Sequence, residues 1–270
     1  MAMRVGYEHI LYEEAGPLAL VTMNRPQQRN ALSLAHLQEL TACFRAIGAR
    51  RDLQVAILRG RGPAFCAGHD LAELLGRDAT FYRRVFAACT ELMRTLQAIP
   101  QPVIAQVHGP AVAAGCQLVA TCDLAVASAA ATFGTPGVRI GLFCSTPMVA
   151  VSRSLPRKKA LELLLTGEPL SADDALRCGL VNRVVSPERL EAETRALAER
   201  VAAASPAVVA LGKQAFYRQL ELSQDQAYAY TQEVMALNAL AADAQEGIGA
   251  FLAKRPPHWR GWAEEASPAS

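Results

Sequence analysis

The sequence has almost no excess of charge of either sign. Its 27 Lys and Arg residues are balanced by 25 Asp and Glu residues, which leaves a formal net charge of +2 over 270 residues. Proteins that bind nucleic acid or an anionic membrane surface usually concentrate basic residues on one helix or face. No such cluster is found in the sequence, so it predicts neither nucleic acid nor an anionic membrane as a partner.

Cysteine patterns typical of disulfide frameworks and zinc sites are also missing. The seven cysteines are odd in number, contain no Cys-x-x-Cys pair, and include Cys43, Cys89 and Cys122 among apolar neighbours. Such cysteines pack as small hydrophobic residues in a reducing compartment. Charged residues such as Glu8 and Glu13 stand where an export signal would need an apolar stretch, and no transit peptide is visible. Together these absences predict a cytoplasmic location.

No apolar run is long enough to predict a membrane span. The longest stretch of small apolar residues, 111–131, contains Gln117 and Asp123, and it is better explained as a buried helix followed by a strand. The chain is 51% hydrophobic and 19% charged, and no linker-like composition interrupts it before the last dozen residues. We therefore expect one large core with a terminal appendage.

Runs rich in Val, Ile and Leu alternate with helical patterns, which indicates an α/β protein. One helix is predicted from Ser33 to about Gly48, and a longer amphipathic helix is predicted to end at Pro100. From Ser186 to about Lys254 the pattern is helical throughout, which suggests a packing or oligomerisation segment. The predicted strands are 18–23, 53–59, 103–108, 124–127 and 180–185.

Two segments of small residues follow predicted strands. Residues 63–71 read Pro-Ala-Phe-Cys-Ala-Gly-His-Asp-Leu, and residues 108–117 read His-Gly-Pro-Ala-Val-Ala-Ala-Gly-Cys-Gln. The second segment should begin a helix whose free N–H groups and dipole favour a developing negative charge. Taken alone, it is more typical of a tight strand-to-helix turn with small residues for close packing. A dinucleotide site is not indicated, because neither segment contains G-x-G-x-x-G.

These motifs resemble the crotonase (enoyl-CoA hydratase/isomerase) superfamily almost from end to end. The resemblance implies the α/β crotonase fold, a ClpP-like spiral of ββα units with a C-terminal helical oligomerisation segment. It divides the chain into a core at 1–200 with the acyl-CoA site, a helical trimerisation segment at 201–263 and a disordered tail at 264–270, and it implies a homotrimer or homohexamer. The matching motifs are Asn24-Arg25-Pro26, Asn30-Ala31-Leu32, 65–71, 103–123, Phe133-Gly134-Thr135-Pro136, 166–168, 179–181, 246–247 and 251–255.

The resemblance also implies how an acyl-CoA thioester would be held. The N–H groups of His69 and Ala114 would form an oxyanion hole that stabilises an enolate-like thioester oxygen. Any residue except proline supplies such a donor, so Ala114 in place of the family's usual glycine keeps this function. Main chain near Arg29, Ala31 and Ala67 would hold coenzyme A, which is part of the substrate; no separate cofactor or metal is implied. Further expected contacts are Gly68, Asp70, Leu71, Gly115 and Lys254.

Two positions depart from the family pattern. The glutamates that activate water and protonate the α carbon in hydratases correspond to Gln117 and Gly137. A neutral amide does not exchange a proton near pH 7 and glycine has no side chain, so ordinary hydration should be very slow. In this respect the region 133–147 resembles a divergent subgroup of enoyl-CoA hydratase domain-containing proteins that lack the glutamate pair.

Several side chains are candidates to replace the missing glutamates. His69 could titrate near neutrality, Cys144 and Ser145 lie in a segment that resembles an active-site turn of the family, and Gln117 could orient a water. The alternatives are that His69 only carries a backbone N–H, Cys144 only packs, Ser145 caps a helix and Lys254 is a solvated helix end. We expect a lyase or isomerase of acyl-CoA metabolism, or a CoA-ester binding or regulatory protein with little turnover.

Overall fold

A computed structural model describes residues 6–262, which form nine strands and eleven α-helices. The predicted tail at 264–270 lies outside the described residues. The strands are β1 (Ile10–Ala15), β2 (Leu18–Met23), β3 (Val55–Gly60), β4 (Val103–Val107), β5 (Ala111–Val112), β6 (Leu124–Ser128), β7 (Thr132–Gly134), β8 (Leu170–Ser171) and β9 (Arg183–Val185). The helices are α1 (Leu34–Gly48), α2 (Leu71–Leu74), α3 (Ala79–Ala98), α4 (Ala114–Thr121), α5 (Ser145–Ser154), α6 (Arg157–Thr166), α7 (Ala172–Arg177), α8 (Leu190–Ala202), α9 (Pro206–Gln219), α10 (Gln224–Leu240) and α11 (Ala242–Leu252).

The larger sheet has six strands in the order β1-β2-β3-β4-β6-β9, and every pair except β1–β2 is parallel. Parallel strands covered on both faces carry continuous apolar runs, and all six residues of β2 are buried. Because of these continuous apolar runs, five of the six strands of the large sheet were predicted from the sequence. Strand β1 was missed because Tyr12, Glu13 and Glu14 interrupt its apolar pattern at the exposed edge of the sheet.

Different helices cover the two faces of the large sheet. Val21 and Leu58 belong to the main core with the apolar sides of α1, α3 and α4, whereas Leu20 and Ile57 form a second cluster with α8. Neighbouring residues of one strand point to opposite faces, which explains this division. The α/β class predicted from the alternating pattern is confirmed.

A second sheet of three short strands, β5-β7-β8, lies next to the carboxyl end of β4. It pairs Ala111 with Phe133 and Val112 with Gly134 in parallel. A single bridge between Cys66 and Ala111 joins it to the segment that follows β3. The small sheet thereby fixes the two small-residue segments beside each other.

The helices α9 to α11 have little buried surface of their own. Helix α10 buries no residue within this chain, and its apolar side chains Met235, Leu237 and Leu240 are largely exposed. A helix with exposed apolar side chains is typical of an interaction surface. The trimer or hexamer stays a prediction. The predicted domain boundary at residue 200 falls inside α8, which packs on β3, β4 and β6.

A buried ion pair ties α9 to the core. Lys213 Nζ lies 2.7 Å from Asp123 Oδ2 and donates to the carbonyl oxygens of Leu96 (2.8 Å) and Gln101 (2.9 Å). Tyr217 donates to the other carboxylate oxygen at 2.8 Å. Burial lowers the pKa of Lys213, and the attraction of Asp123 opposes that shift. Every proton of the ammonium group therefore has an acceptor inside the protein.

Among the described residues, no helix is both long and apolar enough to cross a membrane.

Replacing Lys213 should destabilise the protein strongly. Lys213→Met leaves the Asp123 carboxylate buried without its cation, and breaking a buried pair in this way costs about 3–5 kcal/mol. The free energy of unfolding, measured by urea denaturation, should fall by that amount. Lys159→Met, which removes a partly exposed pair with Glu162, is the control and should leave the free energy of unfolding nearly unchanged. Equal losses in the two variants would contradict the role assigned to Lys213.

Candidate active site

The segment 66–70 is held by backbone hydrogen bonds from both sides. On one side Leu32 N donates to Gly68 O (2.7 Å) and Asp70 N donates to Leu32 O (3.1 Å). On the other side Cys66 N donates to Pro110 O (3.2 Å) and Val112 N donates to Cys66 O (2.8 Å). Three parts of the chain that are far apart in sequence therefore meet in one fixed arrangement.

Two backbone N–H groups remain available where these segments meet. Because the ladder to Leu32 uses Gly68 O and Asp70 N, the N–H of His69 points to the opposite side. Ala114 is the first residue of α4, so its N–H has no acceptor one turn earlier in the helix. A Cβ atom built on Gly68 would lie 3.4 Å from Ala114 N. The amides of residues 69 and 114 therefore lie on adjacent segments, as the sequence prediction requires.

Close contacts and unusual backbone conformations require small residues where these segments meet. Gly68 has a φ of +92°, and a Cβ atom on Gly115 would lie 2.1 Å from Cys66 O. Only glycine fits such positions without rearrangement. Ala113 adopts φ 51° and ψ −114°, a conformation that a residue with a Cβ atom rarely adopts, and its N–H donates to Gly134 O (2.8 Å). The start of α4 is thus held in a strained conformation by its contacts with β7.

Arg25 and Asn30 hold these segments in place through hydrogen bonds and an ion pair, a role that sequence reasoning missed. Arg25 pairs with Asp70 at 3.0 Å and also donates to Ala31 O. Asn30 is fully buried, accepts from Arg25 N, and donates through its amide to the Ala64 and Phe65 carbonyl oxygens at 2.9 and 3.1 Å. Both residues belong to motifs noted in the sequence, but only their partners reveal what they hold.

The main chain expected to hold coenzyme A is brought together. Ala67 N donates to Arg29 O at 3.0 Å, and Ala31 is buried one residue before the ladder at Leu32. Asp70 caps α2 by accepting from Glu73 N, which agrees with a bracing role, and Leu71 is half exposed. Whether these groups contact a ligand stays a prediction.

The ring of His69 is not poised to titrate near pH 7. Burial lowers its pKa to about 4, an effect that the nearby Leu32 carbonyl only partly opposes. Neither ring nitrogen makes a hydrogen bond within residues 6–262, and the ring packs edge-on against Phe86 with centroids 5.3 Å apart. This low pKa argues against a neutral-pH acid or base at His69, because burial among apolar groups disfavours the charged form; a catalytic role for the residue stays a prediction.

Gln117 lies buried on α4, where its side chain meets α3. Cys89 Sγ is 3.8 Å from Gln117 Oε1, a geometry in which the thiol donates to the amide oxygen. Burial raises the pKa of Cys89 to about 12, so this thiol keeps its proton. Gln117 is thus held as a neutral polar group three residues after Ala114.

At Gly137, the position predicted to correspond to the second hydratase glutamate, the neighbouring backbone leaves no room for a side chain. A Cβ atom on Gly137 would lie 2.0 Å from the Leu142 carbonyl oxygen and 2.8 Å from Cys144 Sγ. Burial raises the pKa of Cys144, although a hydrogen bond from the Gly137 N–H opposes this, so the thiolate needed in a nucleophile is disfavoured. Cys144, not Ser145, occupies the N-cap of α5, and the exposed Ser145 hydroxyl lies 3.5 Å from Phe143 O. The helix-cap alternative for Ser145 is therefore wrong.

Lys254 takes no part in the backbone hydrogen bonds that join these segments; its N–H donates to Phe251 O at 3.2 Å. It is exposed just after α11 and adopts a left-handed conformation with φ 52°. Its neighbour Arg255 is occupied by a two-pronged ion pair with Glu246, at 2.6 and 2.9 Å. The contact of Lys254 with coenzyme A stays a prediction.

Comparison with known proteins supports the fold and identifies the family. The model of the enoyl-CoA hydratase/isomerase family matches residues 13–262, and the chain belongs to this family. It is 51% identical over 250 residues to the mitochondrial enoyl-CoA hydratase domain-containing protein 3 of Danio rerio, covering 92% of this chain and 86% of the relative. The predicted superfamily, its divergent subgroup and the crotonase fold are confirmed.

Solved structures agree with this assignment. The crystal structure of an enoyl-CoA hydratase of Mycobacterium smegmatis superimposes with a TM-score of 0.92 at 47% identity, covering 93% of this chain and 99% of that one. The structure of human enoyl Coenzyme A hydratase domain-containing protein 3 gives 0.90 at 45% identity, covering 93% and 100%.

The expected cytoplasmic location is corrected by the same comparison. The similar proteins of Danio rerio, mouse and human are all named as mitochondrial. The cysteine pattern indicated a reducing compartment and was then interpreted too narrowly, since unpaired cysteines do not distinguish one reducing compartment from another.

The two buried histidines should make stability depend on pH. Burial lowers the pKa of His36 and of His69 to about 4, below the ordinary value near 6.5 of an unfolded chain. Between pH 6.5 and 4 the unfolded state therefore binds more protons, so stability falls as the pH falls through this window. Each histidine should contribute on the order of 3 kcal/mol, seen as a drop in the unfolding free energy from pH 7.5 to pH 4. The double variant His36→Gln, His69→Gln should show a much shallower drop; an unchanged profile would contradict this origin.

Proposed function

We propose that this protein binds an acyl-CoA thioester and holds its carbonyl oxygen between the backbone N–H groups of His69 and Ala114. The observation that supports this most directly is the adjacency of the two segments, with the Gly68 Cβ position only 3.4 Å from Ala114 N. Neither N–H is needed by the local ladder or by the first turn of α4. Two fixed donors of this kind bind the transition-state oxyanion more strongly than the ground-state carbonyl.

The site is suited to enolate chemistry on thioesters, in lyase or isomerase reactions of fatty-acid or related acyl-CoA metabolism. Ordinary two-glutamate hydration is not favoured. Gln117 is a buried neutral amide, and no side chain fits at Gly137 without displacing Leu142. Losing one general acid or base costs roughly 10²- to 10⁴-fold in rate, and here both carboxylates are absent.

A CoA-ester binding or regulatory protein is the second candidate, and specific observations favour it. Two ionisable side chains beside these segments are held neutral: burial lowers the pKa of His69 to about 4 and raises that of Cys89 to about 12. A site with bound substrate but no proton donor or acceptor near pH 7 would retain affinity without turnover.

Spectroscopy and calorimetry separate the two candidates. The purified protein is mixed with crotonyl-CoA and other acyl-CoA thioesters. Loss of the enoyl absorbance indicates an enzyme, whereas thermal stabilisation by the thioester without turnover indicates a binding protein. If calorimetry detects no affinity for any of the thioesters, the proposal fails in both forms.

An amide-to-ester replacement tests the oxyanion hole directly. When Ala114 is replaced by lactic acid through nonsense suppression, an ester oxygen takes the place of the N–H and the side chain is kept. We expect thioester affinity to fall by about tenfold, and any turnover to fall by about 10²- to 10³-fold.

The matched control is the same replacement at Ala79, which also begins a helix. In both cases the preceding carbonyl, of Ala113 or Asp78, accepts a helical N–H, so the cost to the helix is similar. Equal affinities in the two ester proteins would contradict a role for the Ala114 N–H.

Restoring one carboxylate should recover part of the hydration reaction. Gln117→Glu places an ionisable group at the position of a family glutamate, and hydration of crotonyl-CoA should rise by about 10²-fold or more over the parent protein. Gln117→Met, similar in size but not ionisable, is the control and should give no rise. Adding Gly137→Glu should lower the Tm without a further gain, because Leu142 O occupies the space. A Gln117→Glu rate equal to that of the parent would show that the site lacks more than a carboxylate.

A further inference from the structure

The proposed donor N–H of His69 belongs to a peptide that is anchored through its carbonyl. This carbonyl oxygen, Gly68 O, accepts from Leu32 N at 2.7 Å. Because the C=O and N–H groups of a trans peptide point in opposite directions, that bond determines where the His69 N–H points. Gly68 has a φ of +92° and no side chain, so the peptide would turn easily if its anchor moved. The position of Leu32 therefore matters to the donor as much as the position of His69.

The contact between residues 32 and 69 is a single bridge that lies outside every strand of residues 6–262. It consists of two hydrogen bonds, from Leu32 N to Gly68 O and from Asp70 N to Leu32 O. One further bond joins the same segments three residues before Asp70, from Ala67 N to Arg29 O at 3.0 Å. A strand pair is held in register by the next pair along the ladder, which this bridge lacks. The end at Asp70 therefore needs support from a side chain.

The side chain of Arg25 clamps this end of the bridge from both segments. Its two terminal nitrogens have different acceptors: Nη2 donates to Asp70 Oδ2 at 3.0 Å, and Nη1 donates to Ala31 O. Asp70 directly follows His69, and Ala31 directly precedes Leu32. Because the guanidinium group is planar and rigid, it fixes the separation of the two segments beside the donor peptide.

This clamp has a firm base and is shielded from solvent. Arg25 N donates to Asn30 Oδ1 at 3.0 Å, and Asn30 N donates to Arg25 O at 2.9 Å. The side chains of Arg25 and Asp70 are only 16% and 17% exposed, so water and salt screen this pair less than a pair on the surface. A charge-assisted hydrogen bond in such surroundings orients its partners strongly.

We propose that Arg25 is a positioning residue for the oxyanion hole: through Ala31 O and Asp70 it directs the His69 N–H at the thioester oxygen. The inference rests on the proposed function, because it takes this N–H to be one of the two carbonyl donors. It gives Arg25 a role beyond stability. Loss of the clamp should weaken the hydrogen bonds to the carbonyl oxygen and leave contacts with the rest of the ligand in place.

Calorimetry with butyryl-CoA and S-butyl-CoA tests this role. The two ligands share the coenzyme and the chain, but the thioether S-butyl-CoA lacks the carbonyl oxygen, so the ratio of their affinities measures the hydrogen bonds to that oxygen. The parent protein should bind the thioester about tenfold or more tightly than the thioether. In Arg25→Met this ratio should fall by about threefold or more, with the affinity for S-butyl-CoA nearly unchanged. Arg25→Lys keeps the charge and can restore one of the two hydrogen bonds, so it should recover part of the ratio.

Arg50→Met is the matched control. Arg50 also pairs with carboxylates, those of Glu14 and Asp52, but it precedes β3, whereas the segment 66–70 follows that strand. Its affinity ratio should equal that of the parent. An equal fall in Arg50→Met and Arg25→Met would show a general loss of stability and would overturn the inference.

The other outcomes separate this inference from the proposed function. A parent-like ratio in Arg25→Met overturns the inference and leaves the proposed function standing. Should Arg25→Met not fold, Arg25→Lys and Asp70→Asn carry the test, since each keeps a polar group at its position, and a parent-like ratio in both overturns the inference. If the parent binds the thioester no more tightly than the thioether, or binds neither, the proposed function itself is rejected.

Discussion

The pairing of the segment 66–70 with two other parts of the chain is the constraint on which the site depends. Hydrogen bonds to Leu32 on one side and to Pro110 and Val112 on the other leave no freedom in where the His69 N–H points. The contact between Gly115 and Cys66 O then sets how closely α4 approaches. Backbone hydrogen bonds can do this because their directions are fixed by the chain and not by flexible side chains.

The same constraint explains why the donor geometry can survive changes in the surrounding side chains. A backbone N–H does not depend on residue identity, so Ala114 can supply the donor where the family resemblance predicts glycine. A proton-transfer group depends on it entirely, and Gln117 and Gly137 cannot supply one. In this chain the Leu142 carbonyl and the Cys144 thiol have filled the space at residue 137. The carboxylate there is excluded by packing as well as by sequence.

Burial sets the chemical character of the remaining side chains. Apolar surroundings lower the pKa of His69 and raise the pKa of Cys89, and both effects favour the neutral form. His69 and Cys89 therefore act as hydrogen-bonding groups without charge. Outside the site the chain does bury an ion pair, between Lys213 and Asp123, where three carbonyl and carboxylate oxygens surround the ammonium group. Because every proton of the Lys213 ammonium group has an acceptor, this ion pair has a structural role and not a reactive one.

The α/β class, five of the large-sheet strands, the helix starting after Ser33 and the family could all be predicted from the sequence, because continuous apolar runs, a capping residue and ordered local motifs are encoded by neighbours along the chain. The sequence also placed Gln117 and Gly137 at the two positions where the resemblance predicts glutamates. The three-dimensional contacts were needed to show that burial lowers the pKa of His69, that Gly137 has no room for a side chain, and that Arg25 and Asn30 brace the loops. These properties depend on burial and on contacts between residues distant in sequence, and a local pattern of residues does not contain that information.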